Sequence, residues 1–159
     1  MVYIVYGVSG VGKTTIGKAL AEKLQLPFYD ADDFHPEANV EKMKNGHPLN
    51  DADRAPWLAE LAQQMLSWEQ KGGAVLACSA LKEKYRKTLQ GTAPFKCCFI
   101  LLNASAELIG KRLQARKDHF MDPGLLRSQF ETLEIPDYGI QVDVGASPAD
   151  ILQAILSKL

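Results

Sequence analysis

Val2 to Tyr6 is an unbroken apolar run, and the octapeptide that follows it, Gly7-Val8-Ser9-Gly10-Val11-Gly12-Lys13-Thr14, leaves few folds open. It fits G-x-x-x-x-G-K-[ST], a loop whose glycines let successive N–H groups turn inward around phosphate oxygens. In such a loop Lys13 meets the β- and γ-phosphates of a nucleotide, and the Thr14 hydroxyl faces Mg2+. The pattern functions between a strand and a helix. The apolar run supplies the strand, and Ile16, Leu20 and Leu24 share one helical face just after it, so the phosphate-binding stretch is expected at Gly7 to Thr15.

The rest of the chain keeps alternating strand with helix. Pro27-Phe28-Tyr29 is a short strand candidate, Glu37 to Asn45 a polar helix closed by Gly46, and His47 to Arg54 a loop. Trp57, Leu58, Leu61, Met65 and Leu66 give the next helix its apolar stripe, which ends at Gly72-Gly73. Ala74 to Ala77 has the length and continuity of a central parallel strand, and Phe95 to Leu102 is the next one. A helix over Ala106 to Lys117, capped by Asn103 or Ser105, precedes another over Pro123 to Leu133 and an alternating strand at Ile140 to Val144. Ser147-Pro148-Ala149-Asp150 opens a final helix docked through Ile151, Leu152, Ile155, Leu156 and Leu159. Five strands joined by helices predict an α/β domain over residues 1–159, a parallel sheet with helices on both faces.

Composition removes several classes of partner. A formal charge of −1 gives no field for nucleic acid or an anionic membrane, and no apolar run reaches membrane length. Cys78, Cys97 and Cys98 lie inside apolar segments without C-x-x-C spacing, and no charged-then-apolar leader precedes Val2. A cytoplasmic protein with reduced, buried thiols is expected.

The chemistry-bearing residues collect at predicted strand ends. Asp30, Asp32 and Asp33 follow Tyr29, where ligands gather in an open α/β sheet; a solvated Asp/Pro turn is the alternative. One carboxylate can hold Mg2+ through water while the other faces a substrate hydroxyl. No aspartate follows Ala77, so metal holding falls to Asp30. Arg54 could cap its helix with Asp51 or Asp53, or take a substrate carboxylate. Ser79 offers a hydroxyl beside small residues, and Lys82 and Arg86, four apart on one helical face, are the useful cations of a basic stretch. Arg112 and Arg116, one turn apart, are candidates for a lid of about residues 112–124 that closes on the transferring phosphoryl; His119 beside them could touch substrate.

With these segments in place, the chain resembles the gluconate kinases, P-loop small-molecule kinases related to shikimate kinase and the nucleoside monophosphate kinases. The resemblance runs through Gly7 to Thr14, Asp30 to Pro36, Asn39 to Met43, Gly46 to Leu58, Cys78 to Arg86, Arg116 to Phe120 and Ser128 to Glu134. His35-Pro36, Pro48-Leu49-Asn50-Asp51-Ala52-Asp53-Arg54 and Cys78-Ser79-Ala80-Leu81-Lys82 are its specific marks. It implies the P-loop kinase fold, ATP and Mg2+ as cofactors, phosphorylation of D-gluconate to 6-phosphogluconate, and a homodimer. A related aldonate is the alternative acceptor. By analogy with the shikimate branch, Thr14 and Asp30 would hold the metal, Asp32 would act as base, and Arg54 would take the substrate carboxylate. Lys13 and Arg116 would neutralise phosphoryl charge. Ser79, Lys82, Arg86, His119 and Gln129 would line the acceptor. Where shikimate kinases carry a glycine triplet and a post-lid arginine, this chain has Cys78-Ser79-Ala80 and Gln129, which implies a different polyol acid.

Overall fold

The computed structural model describes residues 1–91, 95–115 and 123–159. Strands β1 (Val2–Tyr6), β2 (Phe28–Asp30), β3 (Ala74–Cys78), β4 (Cys98–Asn103) and β5 (Ile140–Asp143) form one sheet in the order β2-β3-β1-β4-β5, every pairing parallel. Helices α1 (Lys13–Leu24), α2 (Glu37–Lys44), α3 (Asp51–Gln70), α4 (Glu83–Gln90), α5 (Ala106–Ala115), α6 (Pro123–Thr132) and α7 (Pro148–Leu156) connect or follow them, with a 3₁₀ turn at Ala31–Phe34.

Side-chain alternation along β1 builds two cores. Val2, Ile4 and Tyr6 point to the face that buries Trp57, Leu61, Met65 and Trp68 of α3 with Tyr85 and Leu89 of α4. Val5 points to the opposite face, against Ile16 and Leu20 of α1, Ile109 and Leu113 of α5, and Ile151 and Ile155 of α7. Both faces are covered, which is why the central strands read as continuous apolar runs. No helix among the described residues is long and apolar enough to cross a membrane.

The differences from expectation are local. Helix α3 begins at Asp51, not beyond Arg54, because Asn50 and Asp53 form a reciprocal capping box, Asp53 N–H to Asn50 Oδ1 at 2.8 Å and Asn50 N–H to Asp53 Oδ2 at 2.9 Å. Its buried stripe ends on Trp68; Leu66 is 39% exposed, one position off the inward face. Strand β4 starts at Cys98, and Leu159, beyond the end of α7, is exposed. Ser105 caps α5 and Ser147 caps α7, through Leu108 N–H and Asp150 N–H.

Strand register aligns the carboxyl ends. Tyr6 pairs with Cys78, and Ala77 pairs with Asp30. Gly7, Ser79 and Ala31 therefore leave the same edge of the sheet side by side. The chain runs from β1 toward β2 on one side and from β3 toward β4 on the other, so this edge is the switch point where doubly wound sheets bind ligands.

Candidate active site

The loop Gly7–Gly12 needs its glycines for two separate reasons. A Cβ on Gly7 would sit 2.7 Å from the carbonyl oxygen of Leu102, so only glycine lets the loop leave β1 beside β4. Gly12 has φ 96° as the N-cap of α1, a left-handed geometry that a side chain resists. The loop thereby delivers the N-terminus of a twelve-residue helix, with its inward amides and positive dipole end, to the sheet edge. Lys13, half-buried, donates from Nζ to the carbonyls of Gly7 at 2.9 Å and Val8 at 3.0 Å. Burial lowers its pKa, while Cys78, Asp32 and Asp30 act in the opposite sense. The two aspartates thus lie within Coulombic reach of the loop lysine, and Thr14 and Thr15 beside it are exposed.

Asp30, the last residue of β2, caps the 3₁₀ turn by accepting Asp32 N–H on Oδ1 at 3.0 Å. That local bond turns the chain and places Asp32 just beyond the carboxyl end of β2. Desolvation there, followed by the neighbouring Asp30 charge, raises the Asp32 pKa. Its side chain is still 84% exposed, so water screens the effect. Thr14, exposed at the start of α1, and Asp30, at the end of β2, offer a hydroxyl and a carboxylate oxygen of the kind a hard cation such as Mg2+ takes alongside phosphate and water.

His35 lies beside Asp32. Its ring stacks on Trp57 at 4.3 Å and 15°, and Trp57 Nε1–H donates to Ala31 O at 2.7 Å. Buried Asn39 donates through Nδ2 to Asp53 O at 2.9 Å, which fixes that end of its amide as nitrogen; His35 Nδ1, at 3.3 Å from the same nitrogen, is therefore an acceptor. The proton of the neutral ring sits on Nε2, 3.8 Å from Asp32 Oδ1. Desolvation holds the ring pKa below its ordinary value and Arg54 adds to this, against the opposing pull of Asp32.

Also on α3, Arg54 donates to Tyr85 Oη at 3.2 Å and lies 3.8 Å from Asp51. Tyr85 Oη donates to Asp51 at 2.6 Å, and Lys84 pairs with the same carboxylate. Those two hydrogen bonds, Lys84 first, pull the Asp51 pKa down to about 2. Arg54, Lys82 and Lys84 all stand within 6 Å of the Tyr85 ring, at 5.4, 5.8 and 5.8 Å. Three cations against one near carboxylate leave a local surplus of positive charge suited to an anion. Asp53 is occupied elsewhere, bonded to Lys42 at 2.6 Å.

Arg86 is not among these solvent-facing cations. It is 1% exposed and donates to Ala80 O at 2.7 Å, Leu81 O at 3.1 Å, Glu134 O at 2.7 Å, Tyr138 Oη at 3.0 Å and Glu83 at 3.0 Å, over the Tyr6 ring at 5.1 Å. Lys82 is the N-cap of α4 and does not share its helical face. Arg86 instead props the turn that presents exposed Ser79 and holds Ala80 at φ 38°, unusual for a residue with a Cβ. Gln129 of α6 bonds the phosphate loop itself, accepting Ser9 N–H at 2.7 Å and donating to Ser9 Oγ at 3.2 Å. Arg112 donates to Val144 O at 2.6 Å, joining α5 to the end of β5. Arg116 and His119 lie outside the described residues, as does most of the expected lid. Sequence reasoning gave no role to Asn39 or Tyr85; the four-residue spacing of His35 and Asn39 across the start of α2 was the available signal.

A parallel sheet in this order with a phosphate loop after its first strand is the frame of the P-loop kinases of small molecules, and the shikimate kinase family model matches residues 9–134. The chain is 44% identical to a probable gluconokinase of Xenopus tropicalis, covering 98% of this chain and 91% of that one. It is 50% identical to the gluconokinase of Gluconobacter oxydans over 84% of this chain and 75% of that one. The crystal structure of a gluconokinase from Sinorhizobium meliloti 1021 superposes with a TM-score of 0.89 at 40% identity, covering 98% and 89% of the two chains. The chain belongs to the gluconokinase family of P-loop small-molecule kinases.

Proposed function

We infer that this enzyme transfers a phosphoryl group from ATP to D-gluconate, giving 6-phospho-D-gluconate. The observation that carries the chemistry is the convergence of Lys13 with the Asp30/Asp32 pair at one sheet edge, joined by the cationic group around Tyr85. Gluconokinase relatives over most of the chain support the acceptor. Bound Mg·ATP supplies the transferable phosphoryl and part of its charge neutralisation; Thr14 and Asp30 would hold the metal. Lys13 turns from the carbonyls of Gly7 and Val8 toward phosphate oxygens. Asp32 accepts the proton of the attacking primary hydroxyl as the new P–O bond forms and the bond to the leaving ADP oxygen breaks. His35 Nε2 lies 3.8 Å from that carboxylate, and Arg54 with Lys82 takes the sugar acid's carboxylate, Ser79 a hydroxyl. Arg112 contributes to the nucleotide side, and Arg116 and His119 act on the phosphoryl and acceptor from the lid.

The family resemblance also supports a homodimer, and three free thiols suit the reducing cytoplasm. Light scattering on the purified protein reads the first directly. For the activity, a coupled ADP assay with gluconate, other aldonates, shikimate and nucleoside monophosphates is expected to give its highest kcat/KM with gluconate. Highest turnover with a nucleotide acceptor contradicts the proposal.

A further inference from the structure

Lys13 and Gln129 grip the same half of the phosphate loop from opposite sides. Lys13 spends two of its three N–H donors on the carbonyls of Gly7 and Val8. Gln129, reaching from α6 across 120 residues of sequence, takes the other side of the Val8–Ser9 peptide group, its N–H, together with the Ser9 hydroxyl. A carboxamide suits this double contact because it accepts at one end and donates at the other. Once Lys13 turns to phosphate, its hold on the Gly7 and Val8 carbonyls is released. The Gln129–Ser9 tie is then the side-chain hydrogen bond that still fixes this half of the loop among the described residues. The Ser9 amide is also withdrawn from the set of N–H groups offered to phosphate, so the side chain of Gln129 shapes the loop without needing to touch the sugar acid.

We propose that Gln129 is a positioning residue for ATP, which sets the loop's phosphate-binding shape through Ser9, and not a contact of the acceptor. This rests on Gly7–Thr14 being the ATP site and is independent of which acid is phosphorylated. Gln129→Ala removes both bonds. Gln129→Glu keeps both, since a carboxylate accepts Ser9 N–H and the hydroxyl can turn to donate, but it places a negative charge beside the polyphosphate site.

Titration of each variant with a non-hydrolysable ATP analogue and Mg2+, without acceptor, reads the proposal separately from the substrate assignment. Thermal melting of the free proteins accompanies it. Gln129→Ala is expected to melt within about 4 °C of wild type, as for one lost half-buried tie, and to weaken analogue binding about 3- to 10-fold. Gln129→Glu should melt like wild type and bind the analogue at least about tenfold more weakly. In turnover, KM for ATP rises in both while KM for the sugar acid stays within about twofold. Wild-type analogue affinity in both variants overturns the proposal, and a raised acceptor KM alongside it returns Gln129 to the acceptor site. A lowered melting temperature with unchanged affinity reduces it to a structural tie.

Discussion

Replacing Arg86 by alanine separates a buried girder from a substrate contact. The guanidinium is 1% exposed and satisfies the carbonyls of Ala80 and Glu134 at 2.7 Å each, besides a longer bond to Leu81 O. Leu81 O keeps a second donor in the variant, Glu134 N–H at 2.8 Å, so it loses least. The other two carbonyls lose their guanidinium donor, at about 1–3 kcal/mol each. The Glu83 carboxylate is 36% exposed and regains water, so its ion pair adds little. Contact with the Tyr6 ring at 5.1 Å is worth about 1 kcal/mol. Together these give a loss of about 3–7 kcal/mol, overlapping the range of about 3–5 kcal/mol for breaking a buried charged contact, and the latter corresponds to a melting temperature lower by about 6–20 °C. Arg86→Lys recovers only part of this, because one ammonium cannot match the fork of a guanidinium that spans carbonyls on two chain segments, Ala80-Leu81 and Glu134. Urea denaturation and thermal melting measure both variants. A stability loss under about 1 kcal/mol with a large rise in acceptor KM refutes the structural assignment and makes Arg86 a ligand.

Asp32→Asn keeps the shape of the 3₁₀ turn, whose cap is Asp30, and removes the proton acceptor; kcat is expected to fall about 10²- to 10⁴-fold with acceptor KM little changed, and unaltered kcat moves the base elsewhere. Burial depresses the His35 pKa below 6.5, so the unfolded chain takes up the proton first. Stability from this group is therefore full above about pH 6.5 and declines as pH falls below it, by at most about 1.4 kcal/mol per pH unit. His35→Gln should flatten the difference in urea midpoint between about pH 7.5 and 5.5; an identical difference in wild type and variant contradicts the assignment. Arg116→Ala is expected to lower kcat by about tenfold or more while shifting stability by less than about 0.5 kcal/mol, and full activity removes Arg116 from phosphoryl transfer.

Local chemistry was legible in the sequence and long-range pairing was not. The phosphate loop declares itself because its glycines, lysine and threonine act within eight consecutive residues and draw their context from the adjacent strand and helix. Caps at Ser105 and Ser147 are read the same way. The Asn50/Asp53 box carried an equally local signal, an N-cap residue with a carboxylate three positions on, and it moves Arg54 from a loop into the first turn of α3. Arg86 misleads because basic residues at helical spacing ordinarily face water, whereas its partners are mostly backbone carbonyls, which any residue can supply and no sequence pattern marks. Gln129 meets Ser9 only through the fold. The stacking of His35 on Trp57 joins the turn after β2 to α3, a contact set by how α3 crosses the sheet rather than by spacing along the chain.

Transfer of phosphate from ATP to the primary hydroxyl of gluconate is read most directly by 31P NMR of the reaction mixture. Gluconate incubated with the enzyme, Mg2+ and ATP should yield, in equal amount to ADP, one phosphomonoester signal split into a triplet by the two protons of the terminal CH2. A doublet, which marks esterification of a secondary hydroxyl, or ADP accompanied only by inorganic phosphate, contradicts the account.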